Sequence, residues 1–204
     1  RDLVRSRGLG DVYKAGLLLS IIAFPFLVIK SFNFDGFWKP TSFIVYGFSL
    51  IILYAASTFY HAATEPKKRR KLNIVDHAAI YVLIAGSYTP FTLVGLDSSL
   101  GNYMFVFVWL FALVGVILKL FFTGKFDKLS TAMYLLMGWQ VVFFINPLID
   151  SLSAFSLNYL FIGGVFYSIG AILYMIKRLP YNHAIFHLFV LLGSFSHFLA
   201  IYFM

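Results

Sequence analysis

Residues 41–96 read TSFIVYGFSLIILYAASTFYHAATEPKKRRKLNIVDHAAIYVLIAGSYTPFTLVGL. Two apolar runs, about 41–63 and 74–96, flank a cluster of cations: Lys67, Lys68, Arg69, Arg70 and Lys71. Each run is near the roughly 20 residues an α-helix needs to cross the hydrocarbon of a bilayer. A short basic loop between two apolar spans is what the positive-inside rule describes. This unit therefore predicts a membrane protein.

Composition agrees. Of 204 residues, 61% are hydrophobic and only 12% are charged, against about 25% in an average soluble domain. The mean hydropathy is +0.87. A water-soluble fold of this size cannot hide that much apolar surface. The chain has no cysteine, which excludes disulfides, thiolate catalysis and Cys-based metal sites. Its net charge of +8 does not point to nucleic acid, because the cations lie in short loops between apolar spans.

Working outward, seven apolar stretches can be marked, at about 15–32, 41–63, 74–96, 102–122, 129–148, 157–176 and 183–204. Of the 16 Lys and Arg, all but Lys30 and Lys39 fall on one side of such a bundle. They occupy the N-terminal segment, residues 67–71, the fourth connection (Lys119, Lys125, Lys128) and the sixth (Lys177, Arg178). A six- or eight-span count scrambles that split. The expected fold is all-α: one seven-helix transmembrane domain over 1–204 in the cell membrane, with the N-terminus cytoplasmic and the C-terminus outside. The chain opens on Arg1 rather than Met, so a native start upstream is expected. The first stretch has no small-x-small cleavage site and reads as a retained span. Residues 1–14 are read as a short surface helix. Pro25 and Pro90 predict kinks or local unwinding. Gly163 and Gly164 predict close helix packing.

Ionisable residues inside such segments are expensive and mark sites. His61 ends the second span, Asp76 and His77 open the third, and His183 and His187 open the seventh. The topology, drawn from Lys and Arg alone, sets all of them within one or two turns of the cytoplasmic interface. His183 and His187 are four residues apart and share a helix face. Three imidazoles suit a zinc ion with one position left open for water, the catalytic form of zinc coordination. His61, His183 and His187 are the candidate ligands. Asp76 either binds the metal or, the preferred reading, positions its water. Ser57, one turn before His61, orients a ligand or donates to a substrate oxygen. His77 points about 100° away from Asp76 and is assigned a supporting role. His197 lies ten residues past His187, about 15 Å along the helix, beyond reach of the same ion. Tyr81, with Ser87, Tyr88 and Thr89, reads as helix–helix hydrogen bonding. The basic run 67–71 reads as an anchor to anionic lipid heads.

The stretch 57–90, STFYHAATEPKKRRKLNIVDHAAIYVLIAGSYTP, together with RLPYNHAIFHLFVLLGSFSHFLAIY from Arg178, resembles the hemolysin III proteins, the bacterial branch of the progestin and adipoQ receptor (PAQR) superfamily. The resemblance covers roughly residues 40–204 and rests on S-x3-H, a D-H pair about fifteen residues later, and a final H-x3-H…H. It implies a seven-helix bundle with zinc near the cytoplasmic face. The implied ligands are His61, His183 and His187, with Asp76 holding the zinc-bound water and Ser57 near the metal. The segment GLGDVYKAGLLLS departs from the family, lacking the histidine of its Glu-x-x-Asn…His-Gly pattern, and no role of that motif is carried over. Because PAQR relatives include receptors with ceramidase-like activity, the implied function is zinc-dependent hydrolysis of a lipid amide or ester in membrane homeostasis, with membrane lipids as partners. Two other readings stand beside it: a membrane-state sensor with structural zinc, and a pore-forming cytolysin.

Overall fold

The computed structural model describes the backbone of residues 2–122, 127–176, 178–179 and 182–204; the side chains of residues 2–11, 122, 127, 128, 183 and 184 lie outside the described set. Among the described residues, seven helical segments are long and apolar enough to cross a membrane. The chain runs through α1 (Asp2–Ser31), α2 (Trp38–Ala62) and α3 (Pro66–Pro90), which ends in a widened π turn, Phe91–Gly95. It continues through α4 (Ser99–Phe122) and α5 (Asp127–Gly138), a 3₁₀ segment (Trp139–Phe144), α6 (Ile145–Ser151), α7 (Ala154–Met175) and α8 (Asn182–Tyr202). The fifth crossing, Leu129–Ser151, is thus three pieces rather than one helix.

The elements depart from the expected bounds in informative ways. α1 is one helix from Asp2 onward, so residues 2–14 extend the first span instead of forming a separate surface helix. It is continuous through Pro25, at the cost of the hydrogen bond that proline cannot donate. α3 begins at Pro66, a favoured first helical residue because its missing N–H has no intrahelical partner anyway. The cations 67–71 therefore stand on the first turns of a helix, not in a loop. Pro90 closes α3 and the backbone widens directly after it, the local unwinding that its ring imposes.

α3 is the central helix. Of its most apolar window 72% is buried, against 22% for the first and fourth spans. α2 lies beside α1 and α3, α4 packs on α3, α8 on α7 and α1, and α5 touches α3, α4 and α7. The outer helices turn Phe107, Leu110, Val114, Phe121 and Phe143 outward, as lipid contact requires where no water can reach the backbone. Buried hydroxyls on the inner helices bond back to their own turns: Ser49 Oγ to Tyr46 O, Ser87 Oγ to Ile84 O, and Thr89 Oγ1 to Ala85 O. Such bonds satisfy the hydroxyl proton within its own helix, and Thr89 Oγ1 also accepts from Trp109 Nε1 of α4 at 3.1 Å.

Both cations outside the basic clusters lie at one end. Lys30 Nζ donates to the carbonyl of Met204 at 3.1 Å, joining the end of α1 to the C-terminus. Lys39 Nζ is 2.6 Å from Asp97 Oδ2, joining the start of α2 to the turn before α4. Two residues with positive φ make these turns, Gly36 at 81° and Asp97 at 36°. Glycine meets no steric cost there, and aspartate is among the few side chains that tolerate it.

Candidate metal centre

Four helices, α1, α2, α3 and α8, converge at the end of the bundle opposite Lys30 and Met204. The last turn of α2 supplies His61, and Ser57 lies one turn earlier. α3 supplies Asp76, which is 5% exposed. Ser57 Oγ donates a short hydrogen bond to Asp76 Oδ1, fixing the carboxylate across the α2–α3 interface. The other oxygen, Oδ2, is 3.8 Å from His77 Nδ1, too far for a hydrogen bond. Asp76 therefore has one oxygen held and one left for another ligand.

α8 supplies His187, which is buried, and its ring centre is 5.9 Å from that of His61. Tyr13, on the first turn of the span in α1, completes the cluster. Its ring stacks on His61 at 4.2 Å and 9° and meets His187 edge-on at 4.2 Å and 70°. The three ring centres form a triangle rather than a line, so Tyr13 backs the two imidazoles without separating them. Nothing in the hydropathy of residues 1–14 pointed to it. The signal available was a tyrosine at the polar edge of a span, a common interfacial residue.

His183 lies in α8 one turn before His187, but its side chain is outside the described set. Among the described residues no group of three His, Cys, Asp or Glu stands together as a ready metal cage. The donor chemistry still fits zinc. Two imidazoles on one tetrahedral zinc, with Zn–N near 2.0–2.1 Å, have ring centres about 5 Å apart. His61 and His187 at 5.9 Å need only a small side-chain adjustment to reach that spacing. Asp76 adds a carboxylate pinned by Ser57, and buried carboxylates so fixed commonly support metal sites.

The remaining histidines have other attachments. His77 Nδ1 donates to Asn73 O of its own helix at 2.9 Å, and Tyr134 Oη donates to the His77 carbonyl at 3.0 Å. His197 Nε2 donates to Leu160 O at 3.2 Å, binding α8 to α7. Its ring lies against Gly163, where even one added carbon collides with it. Gly164, by contrast, meets nothing within 4 Å, so close packing requires Gly163 and not its neighbour. Tyr81 packs on Gly115 and Tyr134, and among the described residues its hydroxyl reaches only Met133 Sδ at 3.7 Å.

A cavity of about 150 Å³ begins at this cluster, where Ser57, Asp76, His77 and His187 line it. It continues between α3, α5, α7 and α8 past Leu83, Ile84, Phe91, Gly164 and His197. Most of its wall is apolar, as a site for an acyl chain must be. Lys119 also lines it and is 4% exposed. Lys119 is thus not simply a loop charge. It sits in the last turn of α4, where the helix dipole favours a cation.

Known proteins resemble most of this chain. The family model described as haemolysin-III related matches residues 13–198. The chain is 46% identical over 188 residues, 92% of its own length and 88% of the relative's, to the hemolysin-3 homolog of Bacillus subtilis. It is 42% identical, over 92% of this chain and 86% of the relative, to hemolysin-3 of Bacillus cereus. It is also 28% identical over 174 residues, 82% of this chain, to the human monocyte to macrophage differentiation factor, covering 72% of that protein. No solved structure matches it.

Proposed function

The chain belongs to the haemolysin-III-related family of multi-pass membrane proteins, and we propose that it is a zinc-dependent hydrolase of a lipid amide or ester. The observation that carries this reading is the Ser57–Asp76 pair: a buried carboxylate with one oxygen held and the other free, facing a largely apolar cavity beside two imidazoles. A metal that only joins helices is closed in by its ligands, whereas a carboxylate with a free oxygen beside a cavity suits an open, catalytic site.

His61, His187 and His183 are the side chains assigned to hold the ion. When bound, zinc supplies Lewis-acid chemistry at neutral pH, polarising a carbonyl and making water more acidic. Asp76 accepts the proton of the attacking water and returns it to the departing nitrogen or oxygen. Ser57 keeps the carboxylate aimed while this happens. The apolar wall receives the acyl chain and excludes bulk water, so the reacting groups meet in the geometry the helices impose. By the positive-inside rule the end of the bundle carrying the basic clusters faces the cytoplasm, and on this reading the chemistry occurs near the inner leaflet.

The test combines metal content with lipid turnover in purified protein. About one zinc per chain and fatty-acid release from a panel of ceramides and phospholipids is the expected result. Asp76→Asn should keep the zinc and lose the release, and His187→Ala should lose both. Zinc-loaded protein that releases no fatty acid, with Asp76→Asn still functional in cells, would establish the structural-metal sensor instead.

A further inference from the structure

The cations 67–71 are all exposed, and among the described residues no carboxylate pairs with any of them. They are not equivalent. Arg69 and Arg70 line a groove of about 480 Å³ between α3 and α4, whereas Lys67, Lys68 and Lys71 stand outside it. The Arg69 guanidinium lies 5.4 Å from the centre of the Tyr60 ring. A cation–π contact of this kind holds the side chain in place before any ligand arrives.

The groove has two chemistries. Arg69, Arg70 and Asn73 form the polar wall, and Ile74, Leu120 and Phe121 form the apolar one. Leu120 and Phe121 are 56% and 73% exposed, and the fourth span ends at Phe121. The groove therefore straddles the level where lipid tails give way to headgroups. Arginine presents paired N–H donors that match phosphate oxygens, which a lysine does only as a point charge.

We propose that this groove binds one anionic phospholipid, with its phosphate on Arg69 and Arg70 and the upper part of an acyl chain against Leu120 and Phe121. A free phosphate ion uses only the polar wall. A zwitterionic lipid brings an ammonium group that the neighbouring lysines repel. The site is separate from the zinc centre and does not depend on the hydrolase reading.

Native mass spectrometry of the full chain in detergent tests it, with dioleoyl phosphatidylglycerol and dioleoyl phosphatidylcholine as probes. One phosphatidylglycerol should be retained in preference to phosphatidylcholine. Arg69→Gln with Arg70→Gln should weaken that retention by at least about fivefold, whereas Lys67→Gln with Lys68→Gln, removing the same charge, should change it by less than about twofold. Melting temperatures within about 2 °C of the unsubstituted protein confirm that both variants are folded. Equal losses in the two pairs overturn the proposal in favour of diffuse attraction, as does equal retention of phosphatidylcholine. Complete displacement by inorganic phosphate overturns it in favour of an ion site.

Discussion

Tyr13 is the least expected residue in the cluster, and its two parts have separate consequences. The ring contacts both His61 and His187, while its buried hydroxyl has no hydrogen-bond partner among the described residues. An unpaired buried hydroxyl costs stability and a well-packed ring supplies it. Tyr13→Phe should therefore melt at the same temperature as the parent or higher. Tyr13→Ala should lose about 3–5 kcal/mol and bind zinc more weakly. Thermal unfolding alongside zinc titration separates the two; a Phe variant as damaged as the Ala variant would give the hydroxyl a role. His61, Asp76 and His187 could be read from sequence because ionisable groups stand out against hydrocarbon. Tyr13 could not, because aromatic residues are common at every span edge of this chain. The Ser57–Asp76 bond joins two helices, and only their packing sets its length and direction.

The fifth crossing shows what hydropathy leaves unseen at the scale of an element. Residues 129–148 are apolar throughout much of their length, which states that they face lipid but not that their helix is unbroken. In the structure the helix changes form at Trp139, and Tyr88 of α3 repairs the break: its hydroxyl donates to Gly138 O at 2.6 Å and accepts from Val141 N at 2.9 Å. Broken helices within membranes need such substitutes for their lost backbone bonds. Tyr88→Phe removes both of these bonds and should cost about 1–3 kcal/mol. Tyr81→Phe on the same helix loses only a weak contact to Met133 and should cost about 0.5 kcal/mol or less. Reversible unfolding in mixed micelles gives both values, and similar losses would show that the splice contributes little. α7 offers a matching contrast in its glycine pair. Gly163→Ala forces His197 or α8 to move, so it should destabilise. Gly164→Leu enters open space in the cavity wall. It should fold normally, yet reduce hydrolysis of long-chain lipids more than that of short-chain ones.

Across the whole molecule, seven crossings were legible because apolar length and loop charge both report the same boundary, hydrocarbon against water. Helix continuity beyond that boundary was not, which is why α3 begins at Pro66 and carries the basic run on its first turns. The same charges predict an orientation. Lys30 and Lys39 lie with the C-terminus at one end, each tied to a carbonyl or carboxylate there. The cations 67–71 lie at the other end with no carboxylate partner among the described residues. Retained cations on the cytoplasmic side are what membrane insertion selects. The absence of cysteine from the chain makes the orientation directly measurable, since each introduced thiol is unique. Asp35 and Lys68 are exposed at opposite ends. A membrane-impermeant maleimide should label Asp35→Cys in intact cells and Lys68→Cys only after permeabilisation. The reverse pattern would place the Asp76 cluster and the arginine groove at the outer leaflet, and both would then meet a different population of lipids.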